Sequence, residues 1–476
     1  MQNDLKPYPA YKDSGVPWLG QAPEHWNVRR IKSMFHEKDE RRCDGTGVLL
    51  SLTRTRGIIP HSEATDRLAG AENLSKYKVC GVGDLVMNRM QAWSGMFALS
   101  SLEGVVSPDY SVFRAVGSCD VKYFELLFRT PPAVAQFARL SKGIGSGFNR
   151  LYTEDFGGVL VAVPPTDEQS SIVRYLDHAD RKVRHVILAR QQLIKLLTEQ
   201  KQAIIQRAVT RGLDPNVRLK PSGIPWLGDV PEQWDVEPMK RIALFKSGVG
   251  FPVNRQGGIG LEIPFLRVSD MTRPGNEQWI KSANSTVSRE TAAELGAFLF
   301  PANSIIFPKV GGALLTNKRR LLSISSCIDN NLMGCVVQGA TLSYVFTLMQ
   351  QLDLGRLAKP GPVPAIGESE VEEIRVALPP SDEQSAIVRY LDGATASLDK
   401  AVDAARREID LLREYRTRLI ADVVTGKLDV RDAAAHLPDE PEEQPEPLDE
   451  EPVAETSDFD AEESDGDHSE DESRDA

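Results

Sequence analysis

The sequence predicts an α+β protein in which two mixed α/β domains are joined by two long helices. One observation is a repeat: residues 14–28 and 222–236 are identical at ten of fifteen positions. A second repeat follows, in which residues 164–177 and 379–392 agree at twelve of fourteen positions. The third observation is the helical spacing of the apolar residues after each copy of the second repeat. Because one unit has been duplicated, we expect a pseudo-two-fold symmetric chain whose long helices form an antiparallel intramolecular coiled coil.

Length and composition restrict the class of protein. A chain of 476 residues with 41% hydrophobic residues is long enough for two or three domains. Its first fifteen residues lack the apolar core of a secretory signal, and no apolar run approaches the ~18–20 residues of a membrane span. The five cysteines form no C-x-x-C pair, which favours reduced thiols in a cytoplasmic protein over a disulfide framework or a zinc site.

The net charge of −12 is concentrated at one end of the chain. From residue 437 onward there are 19 acidic residues and one basic residue, so residues 1–436 carry a net charge of +6. A mildly basic body is compatible with a nucleic-acid partner, and the composition of the tail predicts disorder. The tail is either an inert solubility segment, which we favour, or a segment that folds back on the basic inserts, which are the segments between the repeats. In the second case the tail would weaken non-specific DNA binding.

Each long helix has a marked beginning. Two prolines precede Thr166 and Ser381, and Gln169 and Gln384 follow three residues later. This spacing predicts two capping boxes, in which the hydroxyl accepts a bond from the N3 amide and the glutamine reaches back to the cap amide.

The apolar residues after each cap step by threes and fours over about 45 residues, which is the pattern of a coiled-coil seam. The pattern ends near Gly212 and Gly426. We favour pairing within one chain over dimerisation between two chains, because one chain already holds both copies. The predicted seam consists of Ile172, Leu176, Val183, Leu193, Leu197 and Ile204 in the first helix, and of Ile387, Leu391, Leu398, Ile409, Leu412 and Leu419 in the second.

The two inserts between the repeats differ in sequence, yet each contains a β-like run that ends in a basic residue, at 83–89 and 303–309. Taken singly, each basic residue of the inserts is most simply an ordinary surface charge. As a group, among Gly- and Asn-containing loops, they suit phosphate contact with some base readout. The candidate DNA-binding residues are Arg54, Arg56, Arg89, Lys142, Arg150, Arg267, Lys309, Lys318, Arg319, Arg320 and Lys359.

No catalytic constellation is evident. The Ser-Pro-Asp-Tyr sequence at 107–110 comes nearest to the Asp/Asn-Pro-Pro-Tyr loop of a DNA amino-methyltransferase, but Asp109 replaces the second proline and no Gly-rich cofactor loop accompanies it. The Gly-rich residues 143–147 lack the Lys-Ser/Thr of a P-loop, and the seven histidines show no metal-ligand spacing. We therefore predict no catalytic residues, no metal and no cofactor in this chain.

Taken together, the repeats resemble the specificity subunit of type I restriction–modification systems. The resemblance covers about residues 8–432 and rests on the order variable region, PP-x-DEQ helix, variable region, PP-x-DEQ helix. It also rests on the two SG-h-PWLG-x-x-P-E-x-W blocks, where h is Val16 or Ile224. The combination is specific, whereas either motif alone would only suggest the family.

The resemblance implies that each variable region is a target recognition domain that reads one half of a split, asymmetric DNA site. The conserved helices would set the distance between the halves and dock two methyltransferase subunits, which carry S-adenosylmethionine; restriction and motor subunits would join the full complex. The chain itself would be non-catalytic. The implied segments are target recognition domains at 1–163 and 215–378, conserved helical regions at 164–214 and 379–432, and an acidic tail at 433–476.

Two other functions stay open from the residues alone. One is a coiled-coil scaffold whose variable domains bind protein rather than DNA, against which the +6 body counts only lightly. The other is a self-sufficient modification enzyme, against which the missing cofactor loop counts.

Overall fold

The structure is a computed structural model that describes residues 5–42, 45–64, 74–143, 149–358 and 363–438. The chain divides into two compact units. Unit 1 is formed from Met1–Ala189 and Leu411–Ala476, and unit 2 is Arg190–Asp410. Both divisions fall inside a long helix, so each unit contains a part of both long helices. Within the described ranges, no helix is both long and apolar enough to cross a membrane.

The helices α1 to α12 and the strands β1 to β26 are numbered along the chain. The helices are His61–Ala64, Val121–Phe128, Pro131–Leu140, Thr153–Gly158, Thr166–Arg211, Arg289–Glu294, Gly312–Leu315, Leu342–Gln351, Leu354–Leu357, Glu368–Glu372, Ser381–Val424 and Arg431–Ala435. The strands of unit 1 are Tyr11–Asp13, Gln21–Pro23, Asn27–Arg30, Phe35–Lys38, Leu50–Thr53, Gly57–Pro60, Lys78–Cys80, Leu85–Asn88, Phe97–Leu99, Gly104–Val106, Tyr110–Ala115, Lys142–Gly143, Asn149–Arg150 and Leu160–Val163. Those of unit 2 are Leu219–Pro221, Asp229–Pro231, Asp235–Pro238, Ala243–Ser247, Ile263–Leu266, Trp279–Ile280, Thr286–Val287, Ile305–Pro308, Arg320–Leu322, Cys327–Ile328, Leu332–Val337 and Arg375–Leu378.

Unit 1 is built around an antiparallel sheet with the strand order β4-β11-β8-β9. The strand β8 is buried at every position, as its apolar sequence Leu-Val-Met requires. Helices α2 and α3 supply Phe128 and Phe137 to an aromatic core that also contains Phe97 and Phe156. The β-like run predicted at 83–89 is therefore a central strand.

Unit 2 contains a sheet in which β18-β25-β22-β23 repeat that order, with β20 added in parallel to β23. The strand β22, within the run at 303–309, has the place in this order that β8 has in the unit 1 sheet. Each unit has a Trp-rich opening segment, residues 14–28 in unit 1 and 222–236 in unit 2. A strand at the end of this segment pairs with the strand just before a long helix: β3 pairs with β14, and β17 pairs with β26. The order of four strands in the main sheet is thus the same in both units, although the sequences of the inserts differ.

The long helices α5 and α11 pack together, as the seam predicts. In unit 1, Ile172, Leu176 and Val183 of α5 and Leu419 of α11 are buried. In unit 2, Ile387, Leu391 and Ile409 of α11 are buried, and a further group is half-buried: Leu197, Ile204 and Leu398. In unit 1, Leu412 is likewise half-buried.

Leu193 departs from the prediction, because it is 37% exposed. The least exposed line on α5 passes instead through Ile187, Arg190, Ile194 and Lys201, one position away from Leu193. The polar members of this line make ion pairs to α11: Arg190 binds Glu408 through Nε at 2.7 Å and Nη2 at 3.0 Å, and Lys201 Nζ binds Asp399 at 2.5 Å. Arg190 and Lys201 are therefore part of the packed line, since each charge has a partner on the other helix.

The predicted capping boxes are wrong. At the start of α5, the Thr166 hydroxyl donates to the Ser118 carbonyl at 2.8 Å. The Gln169 side chain accepts from the Asp120 amide and donates to the Pro164 carbonyl, both at 2.9 Å. These side chains therefore tie the helix to the segment that begins α2 instead of closing on their own helix end.

The second copy of the motif makes equivalent bonds at the start of α11. Gln384 accepts from the Thr341 amide at 2.8 Å and donates to the Pro379 carbonyl at 2.9 Å. Ser381, the second predicted cap, is an exposed residue at the first position of the helix. The glutamine of each DEQ motif thus joins a long helix to the insert that precedes it.

The glutamate of each DEQ motif binds the second tryptophan of the opening segment. Trp26 Nε1 donates to Glu168 and Trp234 Nε1 donates to Glu383, both at 2.9 Å. Both indoles are fully buried. In unit 1 the same carboxylate also accepts from Tyr8 Oη at 2.6 Å and bonds His25 Nε2 at 2.7 Å.

Each long helix ends at a glycine that packs on one of these tryptophans. Gly212 and Gly426 follow α5 and α11 with φ values of 72° and 78°, the left-handed conformation that ends many helices. A Cβ atom on Gly426 would lie 2.6 Å from Pro23 and 3.0 Å from Trp26, and one on Gly212 would lie 3.1 Å from Trp234. Only glycine therefore fits at either helix end.

Candidate nucleic-acid interface

The predicted DNA-binding residues differ widely in exposure. Arg54, Arg56 and Lys142 are exposed, whereas Arg89, Arg150, Arg267, Lys309, Lys318 and Arg320 are half-buried. Arg319 is buried, and Lys359 lies outside the described residues. The basic candidates therefore divide into exposed surface charges and charges that are at least half-buried.

Arg54 and Arg56 lie in the tight turn between β5 and β6. Arg56 Nη2 bonds the Glu63 carboxylate at 2.6 Å, and the Arg54 carbonyl accepts a bond from the Arg129 guanidinium. Lys142 begins β12, which pairs antiparallel with β13, and its Nζ binds Asp155 at 2.7 Å with the Lys142 side chain 67% exposed. The Asp155 carboxylate raises the pKa of Lys142, so this side chain keeps its positive charge.

Arg89 and Arg150 come together on one carboxylate. Arg150 Nη2 bonds Asp109 Oδ1 at 2.7 Å, and Arg89 Nη2 lies 3.5 Å from the same oxygen. Arg89 also donates to the carbonyl of Asp109 at 2.8 Å and to that of Pro108 at 2.9 Å. The structure therefore brings two predicted residues into one cluster at the end of the unit 1 sheet.

In unit 2 the predicted residues Lys309 and Arg267 have neutral partners. Lys309 Nζ donates to the Ser247 hydroxyl at 2.9 Å, and Arg267 Nη1 donates to Gln256 at 2.7 Å. The Lys309 amide also donates to the Asn331 carbonyl at 2.9 Å. Both cations are thus held at loops next to strands, and neither makes a direct ion pair with another residue that the structure describes.

Arg319 is a correction to the prediction, because its guanidinium is structural. It is 3% exposed, donates to Asn317 Oδ1 at 2.8 Å and to the Leu352 carbonyl at 3.2 Å, and stacks over Phe307 at 5.2 Å. Burial lowers the pKa of Arg319 to about 10, although the Asp353 charge acts in the opposite direction. A side chain so enclosed does not reach DNA.

Lys318 and Arg320 flank Arg319 and are half-buried. Burial lowers the pKa of Arg320, against the opposing charge of Glu277. The compact run 318–320 is therefore partly core, and only its flanking members keep a surface component. The sequence of residues 318–320 could not show which of the three basic side chains is buried, because regular alternation of inward and outward side chains begins only with β23, at Arg320.

Sequence reasoning missed Asp109 as a partner of the basic residues. The signal was present, because the Ser-Pro-Asp-Tyr sequence stands just before β11 and predicts a turn. A carboxylate in a turn between basic strand ends is a candidate to orient them. Its equivalent in unit 2 is Asn331, since Tyr110 pairs with Asn88 in one sheet and Leu332 pairs with Pro308 in the other.

The chain is similar in sequence to two proteins of Methanocaldococcus jannaschii. A protein named as the specificity subunit of the type I restriction enzyme MjaX is 22% identical over 456 residues, covering 87% of this chain and 96% of the relative. The specificity subunit of the type I restriction enzyme MjaVIII is 20% identical over 297 residues, covering 60% of this chain and 66% of the relative. No protein-family model matches the sequence.

A solved structure shares the fold. A chain from a type I R-M system, determined in work on complex assembly and conformational transition, superposes with a TM-score of 0.63 at 17% identity. The match covers 86% of this chain and 99% of that one. The resemblance predicted from the repeats is therefore confirmed: the chain is a relative of the specificity subunits of type I restriction–modification systems.

Proposed function

We propose that this chain is the DNA-recognition subunit of a type I restriction–modification complex and reads a bipartite, asymmetric DNA site. The observation that carries the proposal is the pair of sheets with one strand order but different loops, in a chain that matches 96% of one specificity-subunit relative and 66% of another. One topology with two loop sets suits two readers of different sequences.

In this proposal the inserts at 1–163 and 215–378 are two target recognition domains, related by a pseudo-two-fold axis. The paired helices α5 and α11 act as the spacer that fixes the separation of the two half-sites. The division is supported by the repeated DEQ contacts, through which each insert is joined to the long helix that follows it. A fixed separation matters because B-DNA presents the same groove again only after about 34 Å.

The chain itself is proposed to be non-catalytic, with no cofactor of its own. Two DNA methyltransferase subunits would dock on the long helices and supply the S-adenosylmethionine chemistry, and restriction and motor subunits would join the full complex. This chain would contribute affinity through its basic loops and specificity through fixed polar side chains. A scaffold that binds only protein is the less favoured alternative, since it gives no reason for the held cations at the sheet ends.

The test is the modified-base map of DNA from cells that express the neighbouring methyltransferase with and without this chain. We expect a split adenine-methylation motif that disappears when the chain is absent. If the complex assembles and no motif depends on the chain, the recognition function is wrong and the scaffold becomes the better account.

A further inference from the structure

We propose that Arg150 reads a guanine in one half of the DNA site and that Asp109 is the positioning residue that holds Arg150 for this contact. The inference rests on the proposed function, because it requires that unit 1 bind DNA. It deepens that function by assigning one base and one pair of side chains to it.

The Arg150 guanidinium is held on two sides. Its Nη2 donates to Asp109 Oδ1 at 2.7 Å, and its Nε lies 3.3 Å from the Met90 sulfur. The side chain nevertheless remains 34% exposed, and that of Asp109 is 54% exposed. The pair therefore has a fixed orientation and an open side toward solvent, which are the two requirements for reading a base edge.

The turn that carries Asp109 is itself fixed. The guanidinium of Arg89 donates to the carbonyls of Pro108 and Asp109 from the neighbouring strand end, and the Arg89 side chain is 22% exposed. The Arg89 carbonyl accepts a bond from the Leu151 amide at 3.0 Å, so the residue after Arg150 is tied to the same point. Arg89 thus supports both members of the pair, and its Nε and Nη2 atoms donate to backbone carbonyls of the protein.

The charge of the pair favours a base contact over a phosphate contact. Phosphate binding draws on net positive charge, and Asp109 offsets the charge of Arg150 at 2.7 Å, while the Arg89 guanidinium, 3.5 Å from the same oxygen, donates to the carbonyls of Pro108 and Asp109. What remains is a planar, oriented set of N–H donors, which matches the O6 and N7 acceptors of guanine in the major groove. Because the two charges of the pair cancel, the pair itself adds little affinity for non-cognate DNA. Its contribution is therefore to discrimination between bases.

Unit 2 does not repeat this device. At the position of Asp109 it has Asn331, whose side-chain amide bonds Asp329 at 3.3 Å, and at the position of Arg89 it has Lys309. The two units therefore present different chemistry at equivalent turns. The effect of changing Asp109 should be confined to the half-site that unit 1 reads.

The experiment maps modified bases in cells that carry the methyltransferase and the full chain, in its original form or as Asp109→Asn, Arg150→Lys or Arg150→Ala. Asp109→Asn adopts the residue that unit 2 has, on an exposed turn. We expect one G:C position of one half-site to become degenerate, with discrimination against other bases reduced roughly 5- to 150-fold. All positions of the other half-site should keep their bases.

The matched control is Glu294→Gln in unit 2, which makes the same charge change and frees Arg255 from an exposed pair at 3.2 Å. It should leave the unit 1 half-site unchanged. Competition between duplexes that differ at the affected base pair, measured with the purified complex, separates specificity from folding, because a misfolded variant loses all duplexes alike. Asp109→Glu should retain most of the discrimination.

Three results would overturn the assignment. One is an unchanged motif with tighter binding of random-sequence duplex by Asp109→Asn, which would make Arg150 a phosphate contact restrained by Asp109. The second is the absence of any guanine from both half-sites. The third is equal loss at every position of the motif, which would mean a structural role. A motif that never depends on the chain would instead refute the proposed function.

Discussion

At the scale of single residues, the buried carboxylate of Glu168 holds the opening segment of unit 1 to the start of α5. Its side chain is 5% exposed and bonds Tyr8, His25 and Trp26. Replacing it by alanine would leave the Tyr8 and Trp26 donors buried without an acceptor. We expect Glu168→Ala to lower the free energy of unfolding by about 2–6 kcal/mol, since each unsatisfied buried donor costs about 1–3 kcal/mol.

The second DEQ motif supplies the matched control. Glu383 accepts one bond, from Trp234, and unit 2 has Asn216 and Gln233 at the positions of Tyr8 and His25. Glu383→Ala should therefore cost only about 1–3 kcal/mol in chemical unfolding. Equal losses for the two variants would contradict the view that the extra donors of unit 1 add to its stability.

The cysteines give a second prediction at this scale. Burial raises the pKa of the Cys80 and Cys335 thiols above the usual value, and raises that of Cys327 to about 11. Cys119 is only half-buried, so its thiol is more accessible than the other three. Burial raises the pKa of this thiol as well. Because alkylation needs an accessible thiolate, we expect iodoacetamide near pH 8 to label Cys119 well before the three buried cysteines.

Peptide mass spectrometry of the folded chain checks this order. Labelling of Cys335 as fast as that of Cys119 would show that unit 2 opens readily. Denaturant should make the three buried cysteines reactive, with Cys80 reporting on unit 1 and Cys327 and Cys335 on unit 2.

Residue-level errors of the sequence analysis have a common cause. Arg319 carries the same charge as its neighbours, but at its position just before β23 its guanidinium lies over Phe307 and away from solvent. The Thr166 and Gln169 side chains bond to Ser118 and Asp120, which lie 48 and 49 positions earlier in the chain. Local spacing predicts that such groups need partners, whereas the partner itself is decided by tertiary packing.

At the scale of elements, the long helices owe their stability to the buried side of the seam. Leu419 is 2% exposed in the unit 1 core, and Leu411 on the same helix is 65% exposed. We expect Leu419→Ala to cost about 2–5 kcal/mol, because it removes buried apolar surface and leaves a cavity. Leu411→Ala should stay within about 0.5 kcal/mol of the parent chain.

The two leucine variants are compared by chemical unfolding with Cys80 labelling as the probe of unit 1. They differ only in burial, since residue type and helix are the same. A similar loss in both would contradict the view that burial in the seam stabilises α11, because alanine is a better helix former than leucine and helix propensity alone predicts no loss.

The helices were predictable and the sheets were not, for physical reasons. The period of the apolar residues and the final glycines define α5 and α11 almost to the residue, because a helix makes its backbone bonds locally. The sheet order β4-β11-β8-β9 depends on pairing between strands far apart in the chain, which no local pattern encodes. Leu193 was misplaced because lines of 3.5 and 3.6 residues per turn drift apart along a long helix.

At the scale of the whole molecule, the shared topology of the inserts predicts that they are exchangeable. We expect that replacing residues 222–378 by the corresponding insert of another specificity subunit changes one half of the methylated motif and leaves the other half intact. The graft boundaries lie at the opening segment and before the second DEQ motif, so Glu383 is kept and the incoming insert must carry a tryptophan at the position of Trp234 to restore their contact. A modified-base map in which both halves change together would refute independent reading by the two inserts.

The acidic tail bears on the whole molecule through its charge. Removal of residues 439–476 changes the net charge of the chain from −12 to +6. If the tail folds back on the basic inserts, the shortened chain should bind random-sequence duplex more tightly at low salt, because the tail no longer competes with the phosphate backbone for their positive charges; the inert tail that we favour predicts equal affinity. The difference should vanish near 1 M salt, where the Debye length falls to about 3 Å from about 30 Å at 0.01 M.

Filter binding of both chains across this salt range measures the effect, and the specific half-sites provide the internal comparison. A competing tail weakens all sequences alike, so the methylated motif should stay the same in both chains. Equal affinity of the two chains for random duplex at about 0.01 M salt would identify the tail as an inert solubility segment, because charge competition is strongest where screening is weakest. A changed motif would instead mean that the tail takes part in recognition, which its sequence of alternating acidic, proline and serine residues gives no reason to expect.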